Sequence, residues 1–162
     1  MTHRLVQDSL LASASSVPDK IAIADEYQQR TYSELRDDAL RFARALQDAD
    51  LERGDRVGLY LDNTVECAAA IFGVLIAGGA FTFINPQTKA GKLAFILSDS
   101  EARFLVTEAH SAGIAAAAVA EAPSVEQTFT THREGSPEHF RDLREAIEAV
   151  PPEPADAGAE PS

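Results

Sequence analysis

At 162 residues and 45% hydrophobic content, the chain is long enough for one domain with a buried core and too short for two full ones. Its 26 acidic residues against 14 basic ones give a formal net charge of -12, which repels a nucleic-acid backbone or an anionic membrane surface and argues against either partner. The single Cys67 excludes an internal disulfide, and no cysteine–histidine cluster has metal-ligand spacing.

Residues 4–14 read as a short amphipathic helix with Leu5, Leu10 and Leu11 available for packing, ended by Pro18-Asp19. Residues 21–24 and 30–32 form two short extended pieces around a polar turn, which predicts a small hairpin. The segment Thr31-Tyr32-Ser33-Glu34-Leu35 opens a helix, with Ser33 expected as the cap and Glu34 in the favourable first turn. The stripe Leu35, Ala39, Phe42, Ala43, Leu46 faces inward, and Arg36, Asp37, Arg41, Arg44 and Asp48 make a solvated face with an Asp37–Arg41 pair.

A turn at Gly54 leads into a core strand at residues 57–61, and Asn63 with Glu66 predicts a capping box for the next helix. That helix presents Ala68, Ala69, Ile71, Phe72, Leu75 and Ile76 inward and ends at the Gly78-Gly79 pair. Phe81, Phe83 and Ile84 then read as a strand covered on both sides, stopped by Asn85-Pro86. A phosphate cradle needs glycines ahead of a helix N-terminus, whereas these follow a helix C-terminus, so the pair is read as a structural turn. Strand, helix, strand in this order is a parallel βαβ crossover.

Leu93, Ile96 and Leu97 mark another helix, followed by a strand at residues 103–106. Residues 109–122 make an alanine-rich helix with Ile114 and Val119 as its larger groups, and residues 125–129 a further strand. Ser136-Pro137 is expected to cap a last helix that packs through Phe140, Leu143, Ile147 and Val150. The domain is placed at residues 1–150, and residues 151–162, with four prolines, read as a linker or tail. The most apolar stretch, residues 67–84, carries three glycines and changes period, and no long apolar run follows Arg4; both predict a cytoplasmic protein without a membrane span or signal peptide.

Ligands of parallel sheets bind beyond the strand ends, which draws attention to Asp62-Asn63 and to Asn85, Gln87, Thr88 and Lys89, although capping and turn formation are their simpler use. His3, His110, His132 and His139 have no local partner that identifies a base. Ser111, Ser124 and Ser136 lack the strained setting of a hydrolase nucleophile, and Lys20, Lys89 and Lys92 stand beside no glycine-rich phosphate loop. Cys67, inside a helix, is read as a small buried hydrophobe. No catalytic residue, cofactor-binding residue or metal ligand is assigned.

Taken together, Pro18 to Ala22 (PDKIA), Thr31 to Leu35 (TYSEL), Gly54 to Val57 (GDRV), Leu75 to Pro86 (LIAGGAFTFINP) and Lys92 to Asp99 (KLAFILSD) resemble the N-terminal part of the AMP-forming adenylate ligases: acyl-CoA synthetases, luciferases and peptide-synthetase adenylation domains. TYSEL is similar to the family's first core motif and LIAGGAFTFINP to its second; the likeness covers residues 5–108. It implies an α/β fold in three layers, a mostly parallel sheet flanked by helices, as an incomplete N-terminal subdomain with a short hairpin. It also implies that the complete enzyme activates a carboxylic acid with ATP and Mg, forms an acyl-adenylate, and transfers the acyl group to a thiol such as coenzyme A. The family's Ser/Thr- and Gly-rich lysine loop, adenine-binding region, Thr-Glu motif, hinge aspartate and lid lysine find no counterpart in the 162 residues. The expectation is therefore a fragment or subunit that is inactive alone, binds no cofactor by itself and is completed by a C-terminal catalytic portion or separate chain. The alternatives are a non-catalytic interaction module or pseudoenzyme, and one chain of a split enzyme.

Overall fold

The computed structural model describes residues 5–131 and 135–152. Helix α1 (Val6–Ser16) precedes an antiparallel hairpin of β1 (Ile21–Ala24) and β2 (Gln29–Thr31), followed by α2 (Tyr32–Asp48), β3 (Arg56–Tyr60), α3 (Val65–Ile76) and β4 (Ala80–Phe83). Then come α4 (Ala90–Asp99), β5 (Phe104–Thr107), a single 3-10 turn (Ala109–Ser111), α5 (Ala112–Ala120), β6 (Gln127–Thr130), the two-residue β7 (Arg141–Asp142) and α6 (Leu143–Glu148). The five-stranded sheet is parallel throughout, in the order β4-β3-β5-β6-β7, and helices α3, α4 and α5 make the crossovers from β3 through β6.

Alternation along the strands divides the core in two. Val57 and Leu59 of β3, Phe104 and Val106 of β5 and Phe129 of β6 face one side and pack with α2, α3 and α6. Tyr60 and Leu105 face the other and pack with Leu93 and Leu97 of α4 and with Ala112, Ala115 and Ala118 of α5. On the first side the inward stripe of α2 is buried as its spacing predicts, and the Phe42 ring meets Phe129 edge-on with centroids 5.5 Å apart. The deepest face of α3 is Ala69, Ala70, Gly73, Val74 and Ile76, whereas Ala68, Ile71, Phe72 and Leu75 are only partly covered. The reason is the closeness of the helix pair: a Cβ on Gly73 would lie 2.7 Å from Phe42 Cδ1, so small residues rather than large ones mark this contact.

The glycine pair does what a helix-to-strand turn requires. Gly78 has φ +91° and its N–H donates to Leu75 O at 3.1 Å, while Gly79 N–H donates to Val74 O at 2.9 Å, the two bonds of a Schellman ending. Gly79 is also crowded, a Cβ there lying 3.1 Å from Val74 Cγ1.

Several expectations need correction. Helix α2 is capped by Thr31, not Ser33: Thr31 Oγ1 accepts from Glu34 N–H at 3.2 Å and Glu34 Oε1 accepts from Thr31 N–H at 3.1 Å, because the helix begins at Tyr32. Helix α3 is capped by Thr64, whose Oγ1 accepts from Cys67 N–H at 3.2 Å, and Glu66 instead accepts from Gln28 Nε2 at 2.6 Å. Asp37 pairs with Arg36 rather than Arg41, at 3.0 Å, and Arg44 pairs with Asp48 at 2.9 Å. Strand β4 is the edge of the sheet, so Phe81 and Phe83 are 38% and 46% exposed rather than covered on both sides; Ile84, one step beyond, is buried. Leu5 is exposed while Leu10 is buried, and Ile114 points outward from an α5 that packs through its alanines. The last helix starts at Leu143, capped by Asp142 Oδ1 accepting from Glu145 N–H at 3.0 Å; Phe140 precedes it in a turn that lets Arg141-Asp142 join the sheet. Of the expected tail, residues 153–162 lie outside the described residues.

Candidate functional site

At the C-terminal ends of β3, β5 and β6 the chain leaves a hollow of about 890 Å³, bordered by the hairpin tip, the first turn of α3 and the start of α6. Asp25 fixes the hairpin to this rim: its Oδ2 accepts from Val65 N–H at 2.9 Å, and its Oδ1 accepts from Tyr27 N–H at 2.8 Å and Gln28 N–H at 3.0 Å. These amides, Val65 first, hold the Asp25 carboxyl below its ordinary value of 3.8.

Across the hollow, β3 and β5 are neighbours with Tyr60 opposite Thr107, so the residues just past each strand end converge. Asp62 N–H donates to Glu108 Oε1 at 3.1 Å, His110 Nδ1 lies 3.2 Å from Glu108 Oε2, and His110 Nε2 lies 3.7 Å from Asp62 Oδ2. One oxygen or nitrogen of each residue can be chosen so that all lie within 4.8 Å of one another. The Glu108 side chain is 10% exposed, against 50% for Asp62 and 66% for His110. Burial, and then the adjacent Asp62 carboxyl, push Glu108 above the usual carboxylate range, while the Asp62 amide and His110 pull the other way.

The hollow carries Asp25, Glu26, Asp62, Glu66 and Glu108 against the guanidiniums of Arg30 and Arg144. Both arginines are spent on Asp38, each at 3.3 Å. A triphosphate needs cationic or amide donors aimed at its oxygens. These residues present carboxylates instead, and the described part of the hollow does not fit the phosphates of ATP.

Of the residues singled out by the sequence, Asp62 and Asn63 border the hollow and His110 lies in it. Asn85, Gln87, Thr88 and Lys89 do not. Asn85 Oδ1 accepts from Gln87 N–H at 2.8 Å, Asn85 O accepts from Thr88 N–H at 2.9 Å, and Thr88 O accepts from Tyr60 Oη at 2.6 Å, which is turn formation. His139 stands edge-on to Phe140 with centroids 4.9 Å apart, and His3 and His132 lie outside the described residues. Cys67 is buried, and burial raises its thiol to about 11, which is the setting of an inert thiol. Glu108 was not singled out by its sequence context. The one available signal was its position at a strand end, the same signal that marks Asp62.

Residues 10–160 match the family described as AMP-binding enzyme. The chain belongs to that family. It is 32% identical over 126 residues to the medium/long-chain-fatty-acid–CoA/3-oxocholest-4-en-26-oate–CoA ligase of Mycobacterium tuberculosis, covering 78% of its own length and 23% of the ligase. It is 36% identical over 110 residues to bacitracin synthase 1 of Bacillus licheniformis, covering 68% of its own length and 2% of that synthase. Among solved structures, Mycobacterium smegmatis MbtA superposes with a TM-score of 0.81 at 30% identity, over 91% of this chain and 28% of MbtA. The anthranilate CoA ligase AuaEII, solved with anthranoyl-AMP, superposes with a TM-score of 0.86 at 22% identity, over 92% of this chain and 29% of that one, and shares the fold. The chain thus spans less than a quarter of the length of these curated relatives. Among the described residues, no helix is long and apolar enough to cross a membrane.

Proposed function

We propose that this chain is the N-terminal part, fragment or subunit, of an AMP-forming carboxylic acid:CoA ligase, supplying scaffold and one wall of the acid pocket while another segment supplies the phosphate-handling groups. In the complete enzyme, ATP and the acid would give an acyl-adenylate and pyrophosphate, and a thiol would then take the acyl group. The observation that carries the division of labour is the charge of the hollow. It lies where parallel sheets bind ligands, yet its described lining offers carboxylates, with Arg30 and Arg144 both held by Asp38. A polyphosphate brought there would meet repulsion, so its cradle has to come from elsewhere.

The open edge at β4 supports the same reading. Phe81 and Phe83 stand half-exposed on this edge strand, whose outer side pairs with no strand among the described residues, a surface suited to being covered by more polypeptide. The test is carboxylic-acid-dependent ATP–pyrophosphate exchange, run with this chain alone and with a completing polypeptide that carries the glycine-rich lysine loop and the C-terminal lid. No exchange alone and exchange on mixing is the expected result. Robust exchange by the chain alone overturns the reading, and no exchange in either arm favours a non-catalytic interaction module.

A further inference from the structure

The cluster at the floor of the hollow has a chemistry the ligase reading does not use. Asp62 stands two residues past the β3 end and Glu108 directly follows β5, and the pairing of Tyr60 with Thr107 sets the two strand ends side by side. His110 is added two residues later by the 3-10 turn. Asp62 and Glu108, 46 residues apart in the chain, therefore meet just beyond neighbouring strand ends, and His110 joins them from the turn that follows β5.

The donor set is mixed, one imidazole and two carboxylates, which suits a borderline divalent ion such as Zn2+ better than Mg2+, an ion that prefers oxygen ligands and retained water. Ligands about 2.1 Å from Zn2+ in a tetrahedral arrangement sit about 3.4 Å apart. The atoms here are already within 4.8 Å, and His110 and Asp62 are exposed enough to rotate inward while buried Glu108 stays fixed by the Asp62 amide. The remaining coordination positions would face the open hollow.

The charges around the cluster also favour a cation. A buried carboxylate beside another carboxylate ordinarily has a cationic partner. Among the described residues lining the hollow, Arg30 and Arg144 are both held by Asp38, and His110 is the basic group facing the Asp62–Glu108 pair. The surrounding Asp25, Glu26 and Glu66 add to the attraction for a cation.

We propose that Asp62, Glu108 and His110 form a binding site for a divalent transition-metal ion, taking Zn2+ in preference to Mg2+. The site stands on this geometry and is independent of whether the chain works as part of a ligase.

The experiment is titration of the full chain, stripped of metal by a chelator, with ZnCl2 and separately with MgCl2, read by calorimetry and by the melting midpoint. One equivalent of Zn2+ is expected to bind at micromolar affinity or tighter and to raise the midpoint, with Mg2+ binding far more weakly. His110→Ala and Asp62→Asn, both at exposed side chains, should each weaken Zn2+ binding by about tenfold or more and abolish the midpoint shift. His139→Ala, at a histidine away from the cluster, should change neither. Absence of saturable Zn2+ binding, Mg2+ binding as tight as Zn2+, or unchanged affinity in His110→Ala and Asp62→Asn would each overturn the proposal.

Discussion

On one side of the sheet, α2 and α3 close until Gly73 rests on the Phe42 ring, and that ring in turn meets Phe129. On the other side α5 approaches through Ala112, Ala115 and Ala118, Gly113 has nothing within 4 Å of where a Cβ would stand, and Phe95 of α4 is 68% exposed. The first layer is specified by shape, with one large ring seated against the only residue type that leaves it room. The second layer is specified mainly by smallness, so it tolerates change at its outer positions. Its tight spot is at the sheet itself, where a Cβ on Gly58 would come 2.8 Å from Leu97 Cδ2.

The largest expected effect that tests this contrast is Phe42→Ala, which should cost about 3–5 kcal/mol in a urea melt because it opens a cavity between α2, α3 and β6. A loss of only about 1 kcal/mol would show that the first layer is no tighter than the second. Next comes Asp25→Ala, which unties the hairpin from the start of α3 and should lower the melting midpoint by a few degrees at neutral pH. Because the Asp25 carboxyl is held below its ordinary 3.8, its stabilisation is fully present above that pH and is lost as pH falls through the folded value. The difference between wild type and Asp25→Ala should therefore shrink in acid, and a constant difference would mean the hydrogen bonds do not depend on the charge. Smallest, Gly113→Ala on the open face should stabilise by about 0.5 kcal/mol through lower chain entropy. A destabilisation there would show that the second layer is more crowded than its spacing indicates.

The elements that were legible in the sequence are those governed by local chemistry. The stripe from Leu35 to Leu46 buries as its helical spacing requires, and the Gly78-Gly79 ending forms because a left-handed cap and a crowded neighbour both demand glycine. What escaped was set by partners distant in sequence. Phe81 and Phe83 have the composition of a central strand, but β4 became an edge because β5 pairs on the far side of β3. The same strand order brings Glu108 and His110 to Asp62, so the cluster cannot be seen until the order is known. The caps at Thr31 and Thr64 were missed by one or two positions, since serine, threonine and asparagine offer equivalent oxygens and only the backbone decides which is used.

Thr31 closes β2 and, with the same residue, opens α2. There is no slack between them. Inserting one residue at this joint would either shift the strand by one position, exchanging the two sides of the hairpin, or turn the helix by about 100° and carry Phe42 away from Gly73. Hairpin and helix behave as one cast part, so variation in this stretch is expected to enter at the hairpin tip and not at the joint.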